Sequence, residues 1–206
     1  MLHLLDHPLI KHKLTIMRNK DTGTKDFRQN LDEIGGLMVY EIMQNAELRE
    51  VPIETPMGKA TGYELDKPVV LVPILRAGLG MVDGIQAIIP TAKVGHVGLY
   101  RDEETLEPHS YYAKFPPNIA SAKVFVVDPM LATGGSATAA INFVKEAGAK
   151  DITLVCLVGV QEGIDAVEKA HPDVDIYLAA KDERLNDIGY IVPGLGDAGD
   201  RIFGTK

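Results

Sequence analysis

Asp128 ends an apolar run, Val124-Phe125-Val126-Val127, and leads into Pro129-Met130-Leu131-Ala132-Thr133-Gly134-Gly135-Ser136. A buried strand, a terminal acid, a glycine turn and a helix start, in that order, suit a phosphorylated sugar. The glycines let the main chain approach an anion, and the free N–H groups that open a helix point at it. Thr133 and Ser136 add hydroxyl donors, and a carboxylate at Asp128 stands where it can hold vicinal ribose hydroxyls. The lysine of a Walker loop is missing, so this is not a nucleoside-triphosphate loop of that kind. A glycine turn merely capped by Asp128 is the weaker reading.

Three more loops offer chemistry. Pro73-Ile74-Leu75-Arg76-Ala77-Gly78-Leu79-Gly80 follows another apolar run and opens a helix. There Arg76 presents a guanidinium fork to diphosphate oxygens, and Ala77 and Gly78 let their N–H groups come close. Taken alone, an Arg-Ala-Gly turn is as often structural. Arg101 stands just past a strand-like segment, at the head of a polar stretch reaching Asn118 with little regular periodicity. Loops longer than about 12 residues often serve as lids, which makes this stretch a lid candidate. The acidic run beside it, Asp102-Glu103-Glu104, reads as solvated and is given no role.

The fourth loop contains Gly194-Leu195-Gly196-Asp197-Ala198-Gly199, which matches the dinucleotide pattern G-x-G-x-x-G. That fingerprint needs a helix after it and an acid about 20 residues on. The sequence ends at Lys206, which leaves room for neither, so an ordered loop presenting bare backbone to a flat ligand is expected instead. His3 and His7 are spaced like a metal pair, but Pro8 disfavours a helix carrying both, and only His12 follows nearby. No metal held by side chains is expected there.

These loops need a scaffold. Phe27, Leu31, Ile34, Met38 and Ile42 recur at helical spacing behind a cap at Thr24, and Met38 and Met43 read as core. Strands are expected at 69–72, 93–100, 123–127, 152–158 and 174–178, and helices at 79–89, 136–146 and 163–170. Alternation of this kind implies an α/β fold, a parallel sheet flanked by helices, with ligands at the carboxyl ends of the strands.

At 206 residues, one domain spanning 1–206 is expected, with 46% hydrophobic residues to fill its core. A net charge of −8 argues against a nucleic-acid partner but leaves small anionic substrates open. The single Cys156 lies in an apolar run, so it reads as core, and it cannot form an internal disulfide. That fits a reducing compartment. The segment Met1 to Pro8 carries Asp6 and two histidines rather than the apolar core of a signal peptide. No apolar run approaches the roughly 20 residues of a membrane span, so no membrane partner and a cytoplasmic location are expected.

The Asp128 segment resembles the phosphoribosyl-diphosphate signature of the type I phosphoribosyltransferases. Most members carry two adjacent acids there, whereas this chain has Asp128-Pro129, as the uracil branch does. The Arg76 loop, the Arg101 stretch and the tail follow in family order, and His7 to Leu14 is similar to the family's opening segment. The resemblance implies transfer of phosphoribose from 5-phosphoribosyl 1-diphosphate to uracil, giving UMP and diphosphate, with Mg²⁺ as cofactor. It implies that Arg76, Arg101 and Asp128 are catalytic. The diphosphate substrate would also meet Pro129, Met130, Leu131, Ala132, Thr133, Gly134, Gly135, Ser136 and Asp197. Uracil would meet Ile191, Gly196, Asp197 and Ala198. A mobile hairpin lid carrying Arg101 and a homodimer or higher homo-oligomer are also implied, and activation by GTP varies among members. Two other readings stay open: a phosphoribosyltransferase for another base, and a non-catalytic RNA-binding regulator on the same fold, for which a charge of −8 offers no support.

Overall fold

Strands with both faces buried have no polar face to show, which is why residues such as Val69 to Val72 form unbroken apolar runs. The computed structural model describes residues 1–101 and 108–205, and the run Asp102-Glu103-Glu104 lies outside the described residues. In chain order, strand β1 (Leu2–Leu4) precedes helices α1 (Pro8–Arg18) and α2 (Thr24–Ile42). A hairpin of β2 (Leu48–Thr55) and β3 (Gly58–Leu65) follows, then β4 (Val69–Leu75), a 3-10 turn (Ala77–Met81) and α3 (Val82–Ile88). Next come β5 (Lys93–Val94), β6 (His96–Arg101), β7 (Pro108–Lys114), β8 (Lys123–Leu131), α4 (Gly135–Glu146) and β9 (Asp151–Gly159). Last are α5 (Gln161–Ala170), β10 (Asp175–Lys181), the short strands β11 (Arg184–Leu185) and β12 (Ile191–Val192), and α6 (Ala198–Phe203).

The main sheet runs β1-β10-β9-β8-β4-β6-β7, with β5 beside β4. Its pairings are parallel except β6 with β7. Alternate strand residues feed two cores. Leu71, Phe125, Val127 and Leu157 pack with Phe27, Leu31 and Met38 of α2 on one face. Val70, Val72, Val124, Val126 and Cys156 pack with Ile141 of α4 and Val167 of α5 on the other. From β4 the chain moves outward to β6, whereas from β8 it moves the opposite way to β9. The crevice between the carboxyl ends of β4 and β8 is thus the topological switch point, where α/β sheets bind ligands.

Several local expectations change. Gly23 caps α2, and Thr24 is its first helical residue. The helix expected at 79–89 divides into the 3-10 turn and α3. Within the polar stretch after Arg101, Pro108 to Lys114 form an edge strand antiparallel to β6. The second hairpin, β2–β3, sits in a sheet of its own and is exposed along nearly its whole length. Pro52 and the lack of a core-facing apolar stripe hide its strand character in the sequence. His7 caps α1, its Nδ1 accepting the N–H of Leu9 at 3.1 Å, while His3 stacks on Tyr177 with ring centroids 4.4 Å apart. A helix does follow the Gly194–Gly199 pattern, against expectation. It is the six-residue α6, and no strand among the described residues follows it to close a βαβ unit.

Candidate active site

The loop after β4 crosses tightly over β8. A Cβ on Gly78 would lie 2.5 Å from the carbonyl oxygen of Val127, so only glycine allows that approach. The peptide between Leu75 and Arg76 is cis. The Arg76 side chain is 57% exposed, with its Nη2 3.6 Å from Asp200 Oδ1 and its guanidinium carbon 5.7 Å from the Phe203 ring centroid. A cation left this open, held only by a long ion pair and a ring face, remains available to an anionic ligand.

Across the crevice, β8 extends beyond its apolar run and carries Asp128 in register with Cys156 of β9. The Asp128 carboxyl is half-buried, and its Oδ1 accepts the N–H of Met130 at 3.3 Å. Burial pushes its pKa up to about 7, and that one hydrogen bond offsets the effect only in part. β8 is followed by Ala132 and Thr133, and then by Gly134 at φ 81°, the N-cap of α4. Gly134 supplies no side-chain cap to the first-turn N–H groups of this twelve-residue helix, which begins just after the loop that ends β8.

The tail forms the facing wall. Asn186 Oδ1 accepts the N–H groups of Ile188 and Tyr190 at 3.1 and 2.9 Å, turning the chain from β11 into β12. Asp197 caps α6, its Oδ1 accepting the N–H of Asp200 at 2.9 Å, and Tyr190 Oη lies 3.5 Å from its Oδ2. Between the walls lies a cleft of about 270 Å³. Asp128, Met130 and Ala132 line one side, and Ile191, Gly196, Asp197 and Ala198 the other, with Ala77 of the Arg76 loop between.

The Asp128 loop and the tail therefore meet in one cavity. Thr133, Gly134, Gly135 and Ser136 lie just beyond it in the turn and first helical residues, and Arg76 lies beside it. Pro129 and Leu131 are buried, Leu131 within the core on the α4 side, so their side chains do not face the cleft. Arg101 is the last residue of β6, opposite Pro108, and its side chain lies outside what is described. The sequence reading missed Tyr190 and Gly199 as lining residues. The signal available was Asn186, whose amide makes the turn that delivers Tyr190 to the cleft.

Among the described residues no cluster of three or more His, Cys, Asp or Glu side chains could hold a metal, and no helix is long and apolar enough to cross a membrane. The family model described as uracil phosphoribosyltransferase matches residues 4–205. A uracil phosphoribosyltransferase of Enterococcus faecalis is 65% identical, covering 98% of each chain. One from Mycoplasma capricolum is 64% identical over the same share of each. A solved protein structure from Aquifex aeolicus superposes with a TM-score of 0.95 at 40% identity, covering 100% of this chain and 99% of that one. An adenine phosphoribosyltransferase structure from Trypanosoma brucei, at 14% identity and a TM-score of 0.60 over 91% of this chain and 87% of that one, shares the fold. With the cleft at the switch point and matches of this extent, the chain belongs to the uracil phosphoribosyltransferase family.

Proposed function

We propose that the cleft joins uracil to 5-phosphoribosyl 1-diphosphate, releasing UMP and diphosphate. The observation that carries this reading is the meeting of Asp128 and the glycine-rich tail across one cleft of about 270 Å³, close to the small end of ligand pockets and suited to a single-ring base. The 5′-phosphate sits on the turn Ala132 to Ser136 and the start of α4. Asp128, as a carboxylate, accepts the ribose hydroxyls, and the main chain around Pro129 to Leu131 borders the sugar. Arg76, with Arg101 reaching in from the β6–β7 hairpin, binds the diphosphate. Uracil lies against Ile191 and Gly196 to Ala198, where main-chain donors and acceptors match its alternating edge, and Asp197 approaches the sugar.

The bond from C1 to diphosphate oxygen breaks as N1 of uracil attacks, through a transition state with oxocarbenium character. Charge gathers on the leaving diphosphate, and a contact such as that of Arg76 is typically worth about 3 kcal/mol there. Among the described residues the cleft is lined by two carboxylates, Asp128 and Asp197, and this sparse donor set fits Mg²⁺ held mainly by substrate oxygens and water, as this cation prefers. Bound so, Mg²⁺ supplies charge neutralisation on the diphosphate.

The sequence supports one domain over residues 1–206 and a cytoplasmic enzyme. The projecting β2–β3 hairpin, with Leu48, Ile53, Met57 and Tyr63 exposed, supports a homodimer or higher homo-oligomer. The test is UMP formation from uracil, 5-phosphoribosyl 1-diphosphate and Mg²⁺, run beside cytosine, adenine and hypoxanthine. Turnover with uracil alone is expected. Preference for another base, or no turnover with any, defeats the reading.

A further inference from the structure

Arg18 and Arg201 lie outside the cleft, yet both end on the loop that forms its base-facing wall. Arg18, the last residue of α1, holds Asp182 in a fork, 2.7 Å from Nη1 to Oδ2 and 2.5 Å from Nη2 to Oδ1. Its Nη1 also donates to the Gly194 carbonyl at 2.8 Å. Asp182 follows β10 with its side chain 4% exposed, and its Oδ2 accepts the Gly194 N–H at 2.8 Å. One buried ion pair thus grips both main-chain groups of Gly194. That residue has φ 60°, and a Cβ there would lie 2.1 Å from the Ile191 carbonyl oxygen, so the place of Gly194 also governs the place of Ile191.

Arg201, from α6, reaches back over the same loop. Its Nη1 donates to the carbonyls of Met17 and Leu195 at 2.5 and 2.8 Å, and its Nη2 to those of Asn19 and Thr22 at 2.8 and 3.3 Å. Its guanidinium carbon lies 4.4 Å from the Phe27 ring centroid. All four bonds go to main-chain carbonyls, three at the end of α1 and one in the tail. A cation needed only to close α1 would have no reason to reach Leu195.

We propose that Arg18, Asp182 and Arg201 are positioning residues for base recognition, fastening the carbonyls of Gly194 and Leu195 to the end of α1 and so setting the main chain from Gly196 to Ala198. This rests on the reading that Gly196 to Ala198 meet uracil. The brace touches neither Asp128 nor the α4 turn, and the diphosphate substrate meets the braced segment only at Asp197, so the larger effect falls on uracil.

Arg18→Lys and Arg201→Lys keep the charge but replace a planar fork, with donors on separate nitrogens, by a single ammonium nitrogen that cannot reproduce the paired geometry. The experiment measures KM for each substrate, kcat and Tm for both variants and for Gly196→Val. The KM for uracil is expected to rise roughly 10- to 100-fold, and that for 5-phosphoribosyl 1-diphosphate by less than about twofold. A fall in Tm with both KM values unchanged, or equal rises in both, overturns the proposal. A raised uracil KM in Gly196→Val alone overturns the brace but keeps the base loop. An unaffected Gly196→Val removes the base-loop reading and the brace with it. If Arg201→Lys does not fold, Arg18→Lys, at a site with a quarter of its side chain exposed, carries the same test.

Discussion

Asp128 and Asp151 lie toward opposite ends of the same pair of neighbouring strands. Asp151 opens β9 opposite Lys123, and its carboxylate accepts Lys67 Nζ at 2.8 Å and Lys123 Nζ at 3.3 Å. Burial would raise its pKa, but the two lysines outweigh that and hold it below the usual value. These groups border a hollow of about 310 Å³, as large as the cleft at the other end, yet its charges already answer one another. Asp128 has the reverse setting: more strongly desolvated, with one main-chain N–H for company and a pKa of about 7. Cavity size does not separate the two ends. An acid that the fold has desolvated with no cation beside it among the described residues does, because a ligand can complete it.

Breaking the carboxyl end should cost most. Arg76→Ala is expected to lower kcat/KM for 5-phosphoribosyl 1-diphosphate by about 100-fold or more with the fold intact by circular dichroism, and near wild-type turnover would remove Arg76 from the reaction. The pH profile sharpens the contrast next. On the proposed reading substrate binds the Asp128 carboxylate, so kcat/KM should fall about tenfold per unit below pH about 7, as the free enzyme takes up a proton there. That limb should vanish in Asp128→Asn, leaving only titration of the substrate's own phosphate groups. Persistence of the limb in the variant would place it elsewhere.

A subtler effect concerns the β6–β7 hairpin. Amides of β7 should exchange fast in the free protein and slow on binding diphosphate, and equal protection in both states would argue against a lid. The smallest effect belongs to Asp151. Its pKa is lowered on folding, so its contribution is present above the unfolded value of 3.8 and is lost as pH falls through the folded one. For a half-exposed pair this amounts to about 1 kcal/mol or less. Chemical denaturation of Asp151→Asn should show that difference in full at pH 7 and a smaller one at pH 3.

The parts legible in the sequence were those with a strong local pattern. The central strands carry apolar runs because both faces are buried, and the Thr133 to Ser136 turn shows its glycines and hydroxyls in four consecutive residues with Asp128 nearby. The β2–β3 hairpin escaped because an exposed ribbon has no buried face to impose alternation, and Pro52 argues against a strand. β7 escaped for a similar reason, being an edge strand whose Tyr111 and Tyr112 are both exposed. The brace on the tail was invisible because Arg18 and Gly194 are distant in sequence, and their contact exists only once the end of α1 meets the loop after β12.

The most direct test pairs the two acids in a single assay of UMP formation. Asp128→Asn and Asp151→Asn each remove one carboxylate charge at nearly constant volume, at opposite ends of neighbouring strands. The expected result is a loss of about 100-fold in kcat/KM for 5-phosphoribosyl 1-diphosphate in Asp128→Asn, and wild-type kinetics in Asp151→Asn. Wild-type kinetics in Asp128→Asn, or an equal loss in both, would contradict the assignment of the site to the carboxyl end of β8.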